Sequence, residues 1–191
     1  IFVDSPLAVN ATEVFRLHPE CFDEETYQHL HSKGNPFGME NLTYIREVTQ
    51  SKKLNELQDP CIIISASGMA EAGRIRHHIA NHCANPKNLI LFVGFCAEHT
   101  LGAQICSGKK TVNIFGEPHV INAQVARVDA FSAHAGHSEL LAYSGRITGD
   151  IKKISVIHGE ETPALALAAD LRKQRPTAQV FVPERGEAIE F

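Results

Sequence analysis

Short apolar runs, each followed by a helical pattern, constrain this chain more than any other feature. Cys61 to Ile64 and Leu89 to Val93 are brief aliphatic stretches, the mark of strands buried on both faces. Ile1 to Val3 reads as a further strand and Leu7 to Leu17 as a helix stopped near Pro19. Asp23 is placed to cap a second helix, with Glu24 and Glu25 in its first turn and Gly34 at its end. Leu42 to Val48 is expected as strand, Ser51 to Leu57 as a short helix, Met69 to about His82 as helix, and Thr100 to Ser107 as a short helix. This alternation predicts a mainly parallel sheet flanked by helices, an α/β fold. Thr111 to Phe115 and Val120 to Val128 change to period-two alternation, suited to antiparallel strands. A domain crossing is expected there, giving segments 1–116 and 117–191. In the second, helix Ser138 to Ile147, strand Lys153 to Ile157, helix Pro163 to Gln174 and strand Ala178 to Val182 restore the αβ order.

Composition excludes several classes. The 191 residues are 43% hydrophobic and 21% charged, ordinary for a globular protein with a sizeable core. The longest apolar runs fall far short of a membrane span, so no membrane partner is expected. Five cysteines, an odd number without a C-x-x-C pair, fit reduced, buried thiols and a cytoplasmic setting. A net charge of −4 argues against whole-surface binding of nucleic acid. A local basic groove remains compatible with it, and Arg74, Arg76, Lys109 and Lys110 are the candidate contributors. With no Trp and three Tyr, no stacking platform for bases is visible.

Chemistry-bearing residues collect in a few strings. His158 follows the strand Lys153 to Ile157 and precedes Gly159, at the carboxyl edge where α/β sheets gather ligands. An imidazole there can face a metal or a phosphate. His134 lies in Phe131-Ser132-Ala133-His134-Ala135-Gly136-His137. Taken singly, each histidine reads first as a satisfied structural residue. The loop Ser65-Ala66-Ser67-Gly68 joins a strand to the helix expected from Met69, and such a helix start is either an anion site or a terminus capped by Ser67 alone. His78 and His82 are four apart and share a helix face, but no third metal ligand is evident, and a polar helix surface is the better reading. His29-Leu30-His31 lies within a helical run and reads as a solvated face.

Taken together, FSAHAGH followed by VIHGEE resembles the last two signature motifs of the β-CASP branch of metallo-β-lactamase-fold RNA nucleases, nearest its bacterial exonuclease-like members. Val3-Asp4-Ser5-Pro6-Leu7-Ala8, Asn35-Pro36-Phe37, Ser65-Ala66-Ser67-Gly68-Met69, Gly73-Arg74, and Val93-Gly94-Phe95 with Thr100-Leu101-Gly102 agree, in the family's order. The resemblance implies a β-CASP domain plus a C-terminal αβ segment of the metallo-β-lactamase fold. It implies a zinc-dependent ribonuclease with a two-metal site, in which His158 is a metal ligand and His134 contacts the scissile phosphate and protonates the leaving oxygen. Ser132, Ala133, Ser67, Gly68 and Arg74 would then contact RNA phosphates. Gly136 stands where many relatives carry Asp, and Glu160 is expected to orient its turn rather than bind metal. The family's HxHxDH ligands do not occur in this chain, which is therefore expected to be a piece of a longer nuclease and inactive alone. The alternative is a noncatalytic α/β scaffold or RNA- or nucleotide-binding module; a homodimer is left open.

Overall fold

A computed structural model describes every residue except Asn35, Pro36, Met39, Ala133 and Phe191, and all side chains of the rest but that of Lys33. The Asn35-Pro36 part of one motif, and Ala133, lie outside the described residues. The chain divides into two compact units, Ile1–Phe131 and Ser132–Phe191.

In the first unit the order is β1 (Phe2–Val3), α1 (Pro6–Leu17), a 3-10 turn (Pro19–Cys21), α2 (Glu24–Lys33), β2 (Thr43–Tyr44), α3 (Val48–Leu54) and β3 (Ile63–Ile64). Then follow α4 (Ile75–His82), β4 (Leu89–Phe92), α5 (Leu101–Cys106), β5 (Thr111–Ile114), β6 (Glu117–Val120) and β7 (Gln124–Arg127). Strand β1 lies between β2 and β3, parallel to both, and β4 pairs in parallel with β7. The expected parallel α/β arrangement is therefore present. Local chemistry sets the helix starts. The Ser5 hydroxyl accepts from the Ala8 N–H at 3.3 Å with Pro6 opening α1, and the Asp23 carboxylate accepts from Thr26 at 2.8 Å. Gly34, at φ 89°, ends α2. The Thr100 hydroxyl accepts from Ala103 at 3.2 Å and starts α5.

Three expectations are corrected. The strand expected over Leu42 to Val48 is confined to Thr43–Tyr44, because Val48 already opens α3. The stretch Val120 to Val128 is not wholly antiparallel: β5 and β6 form an antiparallel hairpin, but β7 runs parallel to β4. The helix expected from Met69 begins only at Ile75. In its place residues 66–74 close a loop, in which the Ala70 N–H donates to the Ser67 carbonyl and Ile75 donates to that of Ala66, each at 3.1 Å. Gly73 makes the closure feasible. It sits at φ 78°, and a Cβ there would fall 2.2 Å from the Ala66 carbonyl oxygen, so only glycine fits.

The core of this unit gathers Ile79, Cys83, Phe92, Leu101, Ile105, Val112, Ile114 and Ile121. Burying apolar side chains contributes about 1.5–3 kcal/mol each for the larger ones. That term holds α4 and α5 against the parallel pair and the hairpin.

The second unit is α6 (His137–Arg146), β8 (Lys153–Ser155), α7 (Glu161–Gln174) and β9 (Gln179–Phe181). Strands β8 and β9 are parallel, with α7 as the crossover. Its core is small: Ala168, Leu171 and Val180, with Leu141, Ile154, Val156, Leu167 and Val182 packed around them. Polar ties supplement it. Arg175 donates to the carbonyls of Ser144 at 2.6 Å and Ile147 at 2.8 Å, capping the end of α6, and Arg172 donates to that of Val180 at 2.9 Å. Among the described residues no helix is long and apolar enough to cross a membrane.

Candidate functional site

In the second unit, β8 delivers the chain to His158 just beyond its carboxyl end, and Glu160 precedes α7. His158 is exposed and has φ 62°. A non-glycine residue in the left-handed region costs roughly 1–2 kcal/mol. Its imidazole makes no hydrogen bond among the described residues, so nothing in the unit visibly offsets that cost. His134 is exposed as well; its N–H donates to the Ser132 hydroxyl at 3.4 Å, a local turn that ties these two residues together. The neighbouring Gly136 N–H donates to Glu139 at 2.7 Å, which starts α6. His137, at the head of α6, is 3.1 Å from Asp170 on α7. The Asp170 carboxyl is held below the usual carboxylate range, first by its bond from Lys173 and then by that from His137. Asp170 is nine residues beyond Glu161, so this contact sits about 14 Å along the helix axis from the α7 start at 1.5 Å per residue. No hydrogen bond joins His134 to His158.

Ser67, Gly68 and Arg74 belong to the first unit. Because α4 starts at Ile75, Ser67 and Gly68 do not stand at a helix N-terminus, and the dipole argument for an anion there falls away. Ser67 and Arg74 nevertheless line one cavity of about 660 Å³ with Arg76, His77 and Phe115; Gly68 does not. Lys109 and Lys110 line a different, smaller cavity.

Arg74 is not a solvated charge. Its guanidinium donates to Asp4 Oδ1 at 2.7 Å and to the carbonyls of Ile45 at 3.3 Å and Arg46 at 2.7 Å. Asp4 is completely buried. Its other oxygen, Oδ2, accepts from the Ser51 hydroxyl at 2.6 Å and lies 2.6 Å from His78 Nε2. Burial disfavours the Asp4 carboxylate, but the hydrogen bonds from Ser51, His78 and Arg74 outweigh it and hold the carboxyl below its usual pKa. His78 is therefore not part of a polar helix surface: it is buried and its Nδ1 faces Asn55 Oδ1 at 3.1 Å. His82 is half-buried, and burial, then His78, lowers its pKa. His29 and His31 are exposed, as expected of a solvated face.

The ion-pair network of Asp4, Ser51, Arg74 and His78 was missed from sequence. The available signal was a carboxylate placed directly after an apolar strand and before a serine cap, where an unpaired charge would be costly.

Among the described residues no group of three or more His, Cys, Asp or Glu side chains is arranged to hold a metal. His158 is exposed and its imidazole makes no hydrogen bond among the described residues, so one imidazole donor is available at the end of β8.

Comparison with known proteins gives two family matches. Residues 1–105 match a Beta-Casp domain, and residues 118–183 match a Zn-dependent metallo-hydrolase RNA specificity domain. A ribonuclease of Thermus thermophilus, TTHA0252, is 34% identical over 167 residues, covering 87% of this chain and 38% of the relative. The transcription termination factor FttA of Methanocaldococcus jannaschii is 31% identical over 185 residues, 94% of this chain and 29% of that protein. An RNase J-like protein of the same organism is 31% identical over 191 residues, 99% of this chain and 42% of its own length. The chain spans less than half of each of these relatives.

Proposed function

Because this chain belongs to the β-CASP family of metallo-β-lactamase-fold proteins, we propose that it forms part of a zinc-dependent ribonuclease hydrolysing RNA phosphodiester bonds in RNA processing or decay. The matched C-terminal domain is described as Zn-dependent and as an RNA specificity domain, which supports both the metal and the substrate class. Residues 1–116 serve as the β-CASP domain and 117–191 as the returning segment of the nuclease domain.

The observation that carries this reading is His158. It is exposed at a strand's carboxyl edge, held at φ 62°, and free of hydrogen bonds among the described residues. That geometry suits an imidazole kept for a metal ligand role. When bound, a two-metal centre would supply Lewis acidity at the phosphate and lower the pKa of the attacking water. His134 is the general acid, delivering a proton from a ring nitrogen to the leaving oxygen. The Ser132 hydroxyl contacts a phosphate oxygen, and Ala133 belongs to the same RNA-binding string. In the first unit the Ser67 hydroxyl, Gly68 and Arg74 contact RNA phosphate, Arg74 through whatever donor capacity Asp4 and the two carbonyls leave.

The test is metal stoichiometry measured beside RNA hydrolysis in the longer polypeptide that supplies the remaining ligands. His158→Ala should lower metal content and activity together. His134→Ala should spare the metal and slow cleavage about 10²–10⁴-fold, the span of general acid catalysis. Full activity in either variant overturns the assignment.

A further inference from the structure

The β5–β6 hairpin turns through Phe115 and Gly116 at φ 56° and 86°. A two-residue turn with both φ positive is the type favoured in tight hairpins, and its first position prefers Asn, Asp or Gly. A bulky aromatic there is an outlier, and strained residues of this kind cluster at ligand sites. Phe115 is also 50% exposed, so core packing does not account for it. Its ring instead meets two consecutive residues of α4. The Arg76 guanidinium lies over it, 4.4 Å from the centroid, and the His77 ring is 4.5 Å away, inclined by 31°. All three line the cavity of about 660 Å³, as do Pro6 and Leu7, the latter 76% exposed. Arg74 is already engaged by Asp4, which leaves Arg76 as the arginine with the lighter commitment: one 3.4 Å bond to the Glu71 carbonyl.

We propose that this cavity takes one nucleotide of single-stranded RNA, with the phosphate at Arg76 and His77 and the base against the apolar wall of Pro6 and Leu7. The assignment of RNA rests on the ribonuclease reading; the site itself rests on the cavity. Its volume lies within the range of about 300–1,000 Å³ common to small-ligand sites. An apolar wall beside a guanidinium and an imidazole matches a nucleotide's two ends, a flat base and an anion. Phe115 is a positioning residue: its ring holds Arg76 and His77 facing the cavity, and that task compensates for its strained backbone.

The experiment measures fluorescence anisotropy of a labelled hexa-adenylate RNA with the 191-residue chain over a salt series. Phe115→Asn should weaken binding about 5-fold, in line with loss of the single cation–π contact that holds Arg76. The same variant should keep or raise Tm by about 2 °C, since Asn tolerates the left-handed region. Opposite signs in binding and stability exclude misfolding as the cause. Arg76→Ala should weaken binding and reduce the slope of log affinity against log salt by about 0.7. Binding within twofold of wild type in either variant, or no RNA binding by the wild-type chain, overturns the proposal. His158→Ala in the longer polypeptide reports on the ribonuclease reading alone. If that variant loses hydrolysis while Phe115→Asn binds normally, only the nucleotide site is lost; the converse pattern removes only the ribonuclease reading.

Discussion

Removing the Asp4 carboxylate tests the physical account of the first unit most directly. Asp4 is fully buried and receives Ser51, Arg74 and His78 at 2.6–2.7 Å, joining β1, α3 and the α4 start. Asp4→Ala leaves the Arg74 guanidinium, only 16% exposed, without its anion, and strips Ser51 and His78 of an acceptor. Breaking a buried pair in this way costs about 3–5 kcal/mol. Asp4→Asn is milder. Its oxygen can still accept from Arg74, and the Ser51 hydroxyl can rotate to accept from the amide. His78 can offer Nε2 as an acceptor if Nδ1 carries the proton toward Asn55. The Ser51 and His78 bonds then become neutral ones and Arg74 loses its counter-charge while keeping an acceptor, a combined loss of about 2 kcal/mol. Hydrogen exchange read by mass spectrometry at peptides containing Phe2–Val3 and Ile63–Ile64 gives local stability. Protection there should fall by roughly 150-fold or more in the Ala variant, at about 1.4 kcal/mol per factor of ten, and by about 30-fold in the Asn variant. Equal protection in wild type and Asp4→Ala would falsify the claim that this network organises the unit.

The same carboxylate sets an acid limit. Its folded pKa is depressed, so its stabilisation is complete above the unfolded value of about 3.9 and disappears as pH falls through the folded pKa. Urea midpoints between pH 5 and 2 should therefore drop more steeply for wild type than for Asp4→Asn. Gly73→Ala places a methyl 2.2 Å from the Ala66 carbonyl oxygen at φ 78° and should destabilise by about 3 kcal/mol or more; a Tm within 2 °C of wild type, measured by circular dichroism at about 2–4 °C per kcal/mol, counts against the loop closure described. The 191-residue chain supplied with zinc should not hydrolyse RNA, since its described residues assemble no group of three metal-binding side chains; turnover of a labelled oligonucleotide that is abolished by chelator would refute this.

Much of the fold was legible in the sequence because it rests on local signals. The cap at Asp23, the glycine after Lys33 and the short aliphatic runs each act within a few residues, although the runs expected to be buried on both faces leave Ile64 and Leu89 more than half exposed. The failures arose where a distant partner decided the outcome. The pattern of Val120 to Val128 suits either strand orientation, and only β4 as neighbour makes β7 parallel. Met69 to Arg74 carries helical spacing, but Gly73 closing over Ala66 gives the backbone a different set of hydrogen bonds. His78 looked like a surface residue because its partner, Asp4, lies 74 positions away.

The candidate site divides along the same line. His134 and His158 stood out by their strings, and both are exposed, with imidazoles free of hydrogen bonds among the described residues. Asp4, Ser51, Arg74 and His78 were invisible as a group and are the ones most tightly engaged. A buried charge persists only when paired, so Asp4 is explained by the fold of its own unit. His158 has no such explanation: it occupies a left-handed backbone conformation without a compensating bond. Strain of about 1–2 kcal/mol at a polar, solvent-facing residue is readily relieved by substituting glycine or asparagine. Within Ser132–Phe191 the described residues give the His158 imidazole no hydrogen-bond partner, and the metal-ligand role proposed above is the reading that would account for a histidine rather than glycine or asparagine at φ 62°.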